Sequence, residues 1–238
     1  MEVVDRLYDE SKFGECRVAL ENMFRTNKDP EVAWRLARCY YLILHGAPEK
    51  PSSASIKELM TAAQTCLVES LKNHPGNSMA FTWLGIAIDQ LAQLGGIKDR
   101  IQKSYEMREN FEKALELDPK NSLAHSAMGT WCFTVADLPE VKRKLAATFF
   151  AKPPKSTFEE ALTYLTKSEE LSPKALCGNL YHLARTYKKL GDKQKAREYC
   201  QYTLEFQDIG SEVAEVSMRQ TSLIDHTKKE ARELLKKL

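Results

Sequence analysis

FEKALELDPKNSLAHSAMG, Phe111 to Gly129, reads as the end of one helix, a stop, and the start of another. Apolar residues recur at helical spacing up to Leu117, and Pro119 cannot continue the helix. A polar turn follows, then a second helix with a small residue, Gly129, near its second turn. LVESLKNHPGNSMAFTWLG repeats the phrase around Pro75 with Gly85, and LTKSEELSPKALCGNLYHLA repeats it around Pro173 with Ala184. The small residue lets a neighbouring helix approach closely.

Helix, proline turn, helix at recurring intervals is the tetratricopeptide pattern, in which paired antiparallel helices repeat about every 34 residues. NLYHLARTYKKLGDKQKAREYCQYTLEFQ fits best, with Leu183, Ala184, Tyr187, Gly191 and Ala196 at the expected offsets. The intervals Pro75 to Pro119 and Pro119 to Pro173 are longer than one standard repeat, so they hold insertions. One is a loop, HGAPEKPSSAS; another is VADLPEVKRKLAATFFAKPPKST, in which LPEVKRKLAATFF reads as a short helix stopped by Pro153 and Pro154.

The expected fold is all-α: one superhelical array of helix pairs filling a single domain, 1–238. Its parts are an N-terminal pair (2–26), repeats at 30–75, 77–119, 121–173 (insert 136–156) and 175–207, and a C-terminal capping helix (211–238). Tyr8, Phe13 and Leu20 are the apolar positions of the first pair; Val213, Val216, Leu223, Leu234 and Leu235 are those of the last helix. Terminal caps are expected because an end repeat would otherwise expose its apolar face. Lys236 and Lys237 suit a helix C-terminus. No strand-like alternation of useful length occurs.

Composition narrows the function. Of 238 residues, 43% are hydrophobic and 29% charged, and 35 basic against 33 acidic residues leave +2. That balance excludes a general nucleic-acid or membrane binder, so an acidic partner would need a local patch. Cys16, Cys39, Cys66, Cys132, Cys177 and Cys200 form no CxxC pair and most fall in apolar helical patterns, as reduced thiols of a cytosolic protein do. MEVVDRLYDESKFGE resembles no signal or transit segment, and CYYLILHGA is too short to span a bilayer.

Motifs for chemistry are missing. His45, His74, His125, His182 and His226 show no metal-ligand spacing, and no cofactor motif occurs. Gly95-Gly96 is explained by a turn, Glu159-Glu160 and Glu169-Glu170 by solvated helix faces. No GxSxG elbow occurs either, so a non-enzymatic protein is expected.

A repeat array offers a curved inner surface, lined by the first helix of each pair. Helical phase places Trp34, Arg38 and Tyr41 there, then Thr82, Ile86 and Asp89, then Thr130 and Phe133, then Tyr181, Arg185 and Lys188. Aromatic and basic ends with an apolar middle suit an extended peptide or a lipid. The same phase allows Trp34 and Tyr41 to be inter-repeat core, with Arg38 a surface ion-pair partner. The groove lacks the Lys/Asn ladder of chaperone-binding arrays. Two stretches of the chain are basic: Lys142, Arg143 and Lys144 on the inserted helix, and Lys98, Arg100, Lys103 and Arg108 in GIKDRIQKSYEMRE.

WRLARCY, RIQKSYEMRENFEKALELDPKN, AHSAMGTWCFTVADLPEVKRKLAATFFAKPPKSTFEEAL and SEELSPKALCGNLYHLARTYKKLG together resemble the regulator of microtubule dynamics family. The insert between Val135 and Phe158 is the specific part. The start of the chain is most like the short, soluble members. The resemblance implies a cytoplasmic protein of microtubules, spindle and spindle poles that supports chromosome segregation. It also implies mitochondrial association and phospholipid binding, as in an anchored, organelle-tethering member. It implies no cofactor and no catalytic residue. Two expectations follow: an adaptor whose Lys142, Arg143 and Lys144 meet tubulin while the groove takes a protein or peptide, or a lipid module whose Arg38 or Arg185 holds a phosphate.

Overall fold

The computed structural model describes residues 1–46, 49–149, 154–207 and 221–238; within its helices the side chains of residues 145, 146, 149 and 221 are left aside. Twelve helices and no strand occur among the described residues. They are α1 (Glu2–Asp9), α2 (Phe13–Asn27), α3 (Pro30–Gly46), α4 (Ser53–Asn73), α5 (Ser78–Ala92) and α6 (Ile97–Leu117). Then come α7 (Ser122–Ala136), α8 (Glu140–Phe149), α9 (Phe158–Leu171), α10 (Cys177–Lys189), α11 (Lys193–Glu205) and α12 (Thr221–Leu235).

The repeated phrase is two devices joined. A residue that precedes proline is pushed out of the α region. His74, Asp118 and Ser172 accordingly sit at φ −135°, −142° and −144°, and α4, α6 and α9 end just before them. Asn77 and Asn121 then start the next helix: their Oδ1 atoms accept from the backbone N–H of Ala80 at 2.7 Å and of Ala124 at 2.9 Å. A side-chain oxygen there satisfies one of the orphan donors of a helix start. Ser52, Thr157 and Asp192 do the same for α4, α9 and α11.

The chain divides at Pro119 into two compact units, Met1–Pro119 and Lys120–Leu238. In the first unit α1 packs on α2, α3 on α4 and α5 on α6, with α2 against α3, α4 against α5 and α3 against α5. This is the helix-pair ladder expected from the repeat. Gly85 is needed for it: a Cβ there would lie 2.3 Å from Cε1 of Phe111. Ser78, first residue of α5, donates its hydroxyl to the carbonyl of Ala114 at 2.8 Å.

In the second unit α7 pairs with α9, α10 with α11, and α12 lies on α10 and α11 as the expected cap. Ser168 donates to the carbonyl of Ser122 at 2.8 Å, and a Cβ on Gly129 would lie 2.6 Å from Cγ of Leu165. Leu165, Leu183, Tyr187 and Ala196 form one core cluster, on which Leu238 packs. Cys177, Leu180 and Phe206 form a second, against Tyr202 and Ile224. The short helix read in the insert is α8, and among the described residues it packs as a layer on no other helix. Leu223, Leu234 and Leu235 of α12 are half-buried. Ala47, Pro48, Pro153, Val213 and Val216 lie outside the described residues.

Candidate partner-binding surfaces

Trp34 and Arg38 do not reach the surface. Trp34 is 1% exposed and Arg38 4%. The Arg38 guanidinium lies 3.7 Å from the ring centre of Tyr8 on α1 and 5.0 Å from that of Trp34. The Trp34 indole donates to Glu31 at 3.0 Å. These residues form the packing between α1 and α3, with aromatic faces facing the charge of Arg38. Burial pushes the Arg38 guanidinium below its ordinary pKa. A side chain this deep presents nothing to a ligand, and Arg38 does not stand at the surface.

Tyr41 is half-buried. Its ring meets His45 at 4.3 Å and the edge of Trp83 on α5 at 5.8 Å. Ile86 and Asp89 on α5 are also half-buried, while Thr82 is buried. A chain of hydrogen bonds crosses from α3 to α5. The Gln90 carbonyl only accepts, so His45 Nε2 donates to it at 3.1 Å, and the Gln90 amide donates to Asp89 Oδ2 at 3.4 Å. Gln93 donates to the same oxygen at 3.2 Å.

The second unit gathers its candidates around one arginine. The Arg185 guanidinium lies 4.2 Å from the Phe133 ring centre and 5.7 Å from that of Tyr181, and 3.8 Å from Asp137 Oδ2. Lys189 takes the other oxygen of Asp137 at 2.5 Å. Phe133 is 1% exposed and meets Phe158 and His182, so it is the floor of this cluster. Burial, then the charge of Arg185, push His182 down to about 3, so its imidazole stays neutral. Tyr181 donates to Glu230 of α12 at 3.1 Å. Lys188 and Thr130 are half-buried. Sequence reasoning missed Asp137, His182 and Lys189; the Tyr181, Arg185, Lys189 spacing of four was the signal for the last.

The two basic stretches differ in how their cations are held. Lys142, Arg143 and Lys144 are exposed on α8, beside a 78% exposed Val141. Arg143 donates to the carbonyls of Leu138 and Ala136, closing the turn from α7. Lys144 pairs with Glu140 at 2.9 Å in full solvent. Lys142 has no ion-pair partner among the described residues. On α6, Lys98 and Arg100 are exposed, while Lys103 pairs with Asp99 at 2.5 Å and Arg108 with Glu112 at 2.7 Å.

Among the described residues no group of three His, Cys, Asp or Glu could hold a metal ion. Also among them, no helix is long and apolar enough to cross a membrane. The six cysteines are free and buried.

All of residues 1–238 match the family model described as Regulator of microtubule dynamics protein 1-3. Regulator of microtubule dynamics protein 1 of Bos taurus is 35% identical over 225 residues, 91% of this chain and 69% of its own length. The protein of that name in Mus musculus is 36% identical over 200 residues, covering 81% and 65%. Regulator of microtubule dynamics protein 3 of Bos taurus is 30% identical over 219 residues, covering 89% and 45%. The chain thus spans about two thirds of the first two and under half of the third. Among solved structures, a thermophilic TPR protein of Thermus thermophilus superposes with a TM-score of 0.64 at 14% identity, covering 98% of this chain and 97% of that one. At that identity the likeness speaks for the tetratricopeptide fold alone.

Proposed function

Because this chain belongs to the family described as Regulator of microtubule dynamics protein 1-3, we propose that it is a non-enzymatic, microtubule-associated adaptor of the cytoskeleton. The observation that carries this reading is α8: a helix that packs as a layer on no other helix among the described residues and holds Val141, Lys142 and Lys144 in solvent. A microtubule is an acidic, repeating lattice. A cation near an acidic surface contributes about 1 kcal/mol, and weak contacts gain from many copies. Lys98 and Arg100 on α6 supply further exposed cations. The inner helix faces are left for a protein partner, and spindle function in chromosome segregation is the role this adaptor would serve.

Microtubule co-sedimentation across a salt series tests it. Pelleting that weakens with salt and weakens again in Lys142→Glu/Lys144→Glu supports it. Arg143 is kept, because its guanidinium holds the α7–α8 turn. A parent protein that stays in the supernatant at low salt refutes direct binding.

One observation favours a second reading, a phospholipid-binding module. Arg185 is one-third exposed and oriented by Phe133, while Lys189 holds Asp137 more closely than Arg185 does. A guanidinium so placed is suited to a phosphate. Native mass spectra should then show bound lipid that Arg185→Glu removes, and protein purified lipid-free under gentle conditions would contradict it.

A further inference from the structure

The first unit holds a carboxylate that no cation pairs among the described residues. Asp89 lies on α5 at the level of Tyr41 and His45 of α3. Its Oδ2 accepts from the amides of Gln93 and Gln90 at 3.2 and 3.4 Å, and its Oδ1 accepts no hydrogen bond among the described residues. Other partly buried acids differ. Glu21 has Arg17 at 2.7 Å, Asp137 has Lys189 at 2.5 Å, and Glu169 has the backbone N–H of Lys174 at 2.8 Å.

Burial raises the Asp89 carboxyl above the ordinary carboxylate range; the Gln93 amide, the charge of Arg100 and the Gln90 amide pull it back only in part. An ion desolvated with no cation in contact is costly. Beside it are half-buried Ile86, three residues earlier on the same helix, and the Tyr41 ring. Next to Tyr41 is the indole of Trp83, 1% exposed, whose N–H has no hydrogen-bond partner among the described residues.

We propose that Asp89, Tyr41 and Ile86 form a site for the arginine or lysine side chain of a partner protein's segment. Asp89 Oδ1 takes the cationic head, Tyr41 offers a π face, and Ile86 packs the methylene stem. The His45–Gln90–Asp89 chain fixes the carboxylate before the partner arrives, so little ordering remains to be done on binding. Charge complementarity selects the occupant: the site faces a partner with basic residues, the opposite sign to an acidic lattice. The proposal therefore stands independently of microtubule binding.

The test uses the full chain, labelled with nitrogen-15, and two blocked tripeptides, Ala-Arg-Ala and the neutral isostere Ala-citrulline-Ala. The Trp83 indole signal, identified by its loss in Trp83→Phe, should shift saturably with the arginine peptide only. Asp89→Asn should weaken that binding about tenfold to a hundredfold, the worth of a hydrogen bond to a charged group. Asp89→Glu, which keeps the charge, should retain part of it. Equal shifts with both peptides, unchanged binding in a folded Asp89→Asn, or no saturable shift would each overturn the site. Guanidinium ion binding as tightly as the peptide would overturn the partner-segment assignment.

Discussion

Gly129→Ala adds one methyl group where α7 and α9 touch, and it should destabilise the protein. The new Cβ would stand 2.6 Å from Cγ, 2.8 Å from Cδ2 and 3.0 Å from the backbone nitrogen of Leu165. Carbon atoms are comfortable at about 3.5–4.0 Å, so the neighbour must retreat by about 1 Å. Leu165 cannot turn aside: it is fully buried, and one of the three contacts is backbone. Moving α9 would also stretch the 2.8 Å bond from Ser168 to Ser122. Overpacking of this kind costs about 1–3 kcal/mol, and exchanging Gly for Ala in a helix returns up to about 1 kcal/mol. With backbone among the contacts the cost lies in the upper part of that range, about 2–3 kcal/mol, so the net loss is about 1–2 kcal/mol, roughly 4 °C in Tm per kcal/mol for a unit of this size. Gly178→Ala is the control, since a Cβ there meets nothing within 4 Å. It should be neutral or stabilising by up to about 1 kcal/mol. Thermal and urea unfolding followed by circular dichroism reads both. A Gly129→Ala protein as stable as the parent would refute the close-approach argument.

Three further outcomes follow from other parts of the structure. Arg38→Glu should lower stability by about 3 kcal/mol or more, since it buries a carboxylate between the rings of Tyr8 and Trp34; Arg185→Glu should leave the melting curve nearly unchanged, and equal effects would contradict the placement of Arg38 in the core. The folded pKa of His182 lies near 3, below its usual 6.5. The stability it contributes is therefore full above about 6.5 and drains away as pH falls toward 3, because the unfolded chain takes the proton first; His182→Gln should flatten the fall in Tm over that range, and an unchanged slope would argue against a buried neutral imidazole. All six cysteines are buried, with Cys66 raised to about 12 and Cys177 and Cys200 to about 11, mainly by burial; Ellman's reagent should react slowly with native protein and fully in urea, and fast native labelling would contradict that burial.

The repeat phrase made the helix pairs legible because its signals are local. Proline acts on the residue beside it and on its own helix, so the ends of α4, α6 and α9 follow from sequence alone. The asparagines that start α5 and α7 act over three residues and were equally readable. The candidate site was less so. Helical phase says which face of α3 carries Trp34 and Arg38, but not that Tyr8, thirty residues earlier, lies over it. A run of three basic residues does not reveal that Arg143 folds back onto carbonyls. The same limit hid the His45–Gln90–Asp89 chain, whose first bond spans forty-five positions. Each of these depends on what a second helix brings, which no window along one helix contains.

The chain leaves α7 at Asp137 and rejoins the packing at Phe158, whose ring meets Phe133 at 5.4 Å. Between those points α7 and α9 hold each other directly, through Gly129 against Leu165 and Ser122 against Ser168. Among the described residues, neither of these contacts involves α8. The closure entropy of a loop rises only with the logarithm of its length, about 0.6 kcal/mol for each doubling. The link to which α8 belongs, short of Thr157 that caps α9, is therefore a splice port: a fluorescent protein, an epitope or a longer natural segment could be set there while the two helices keep their register.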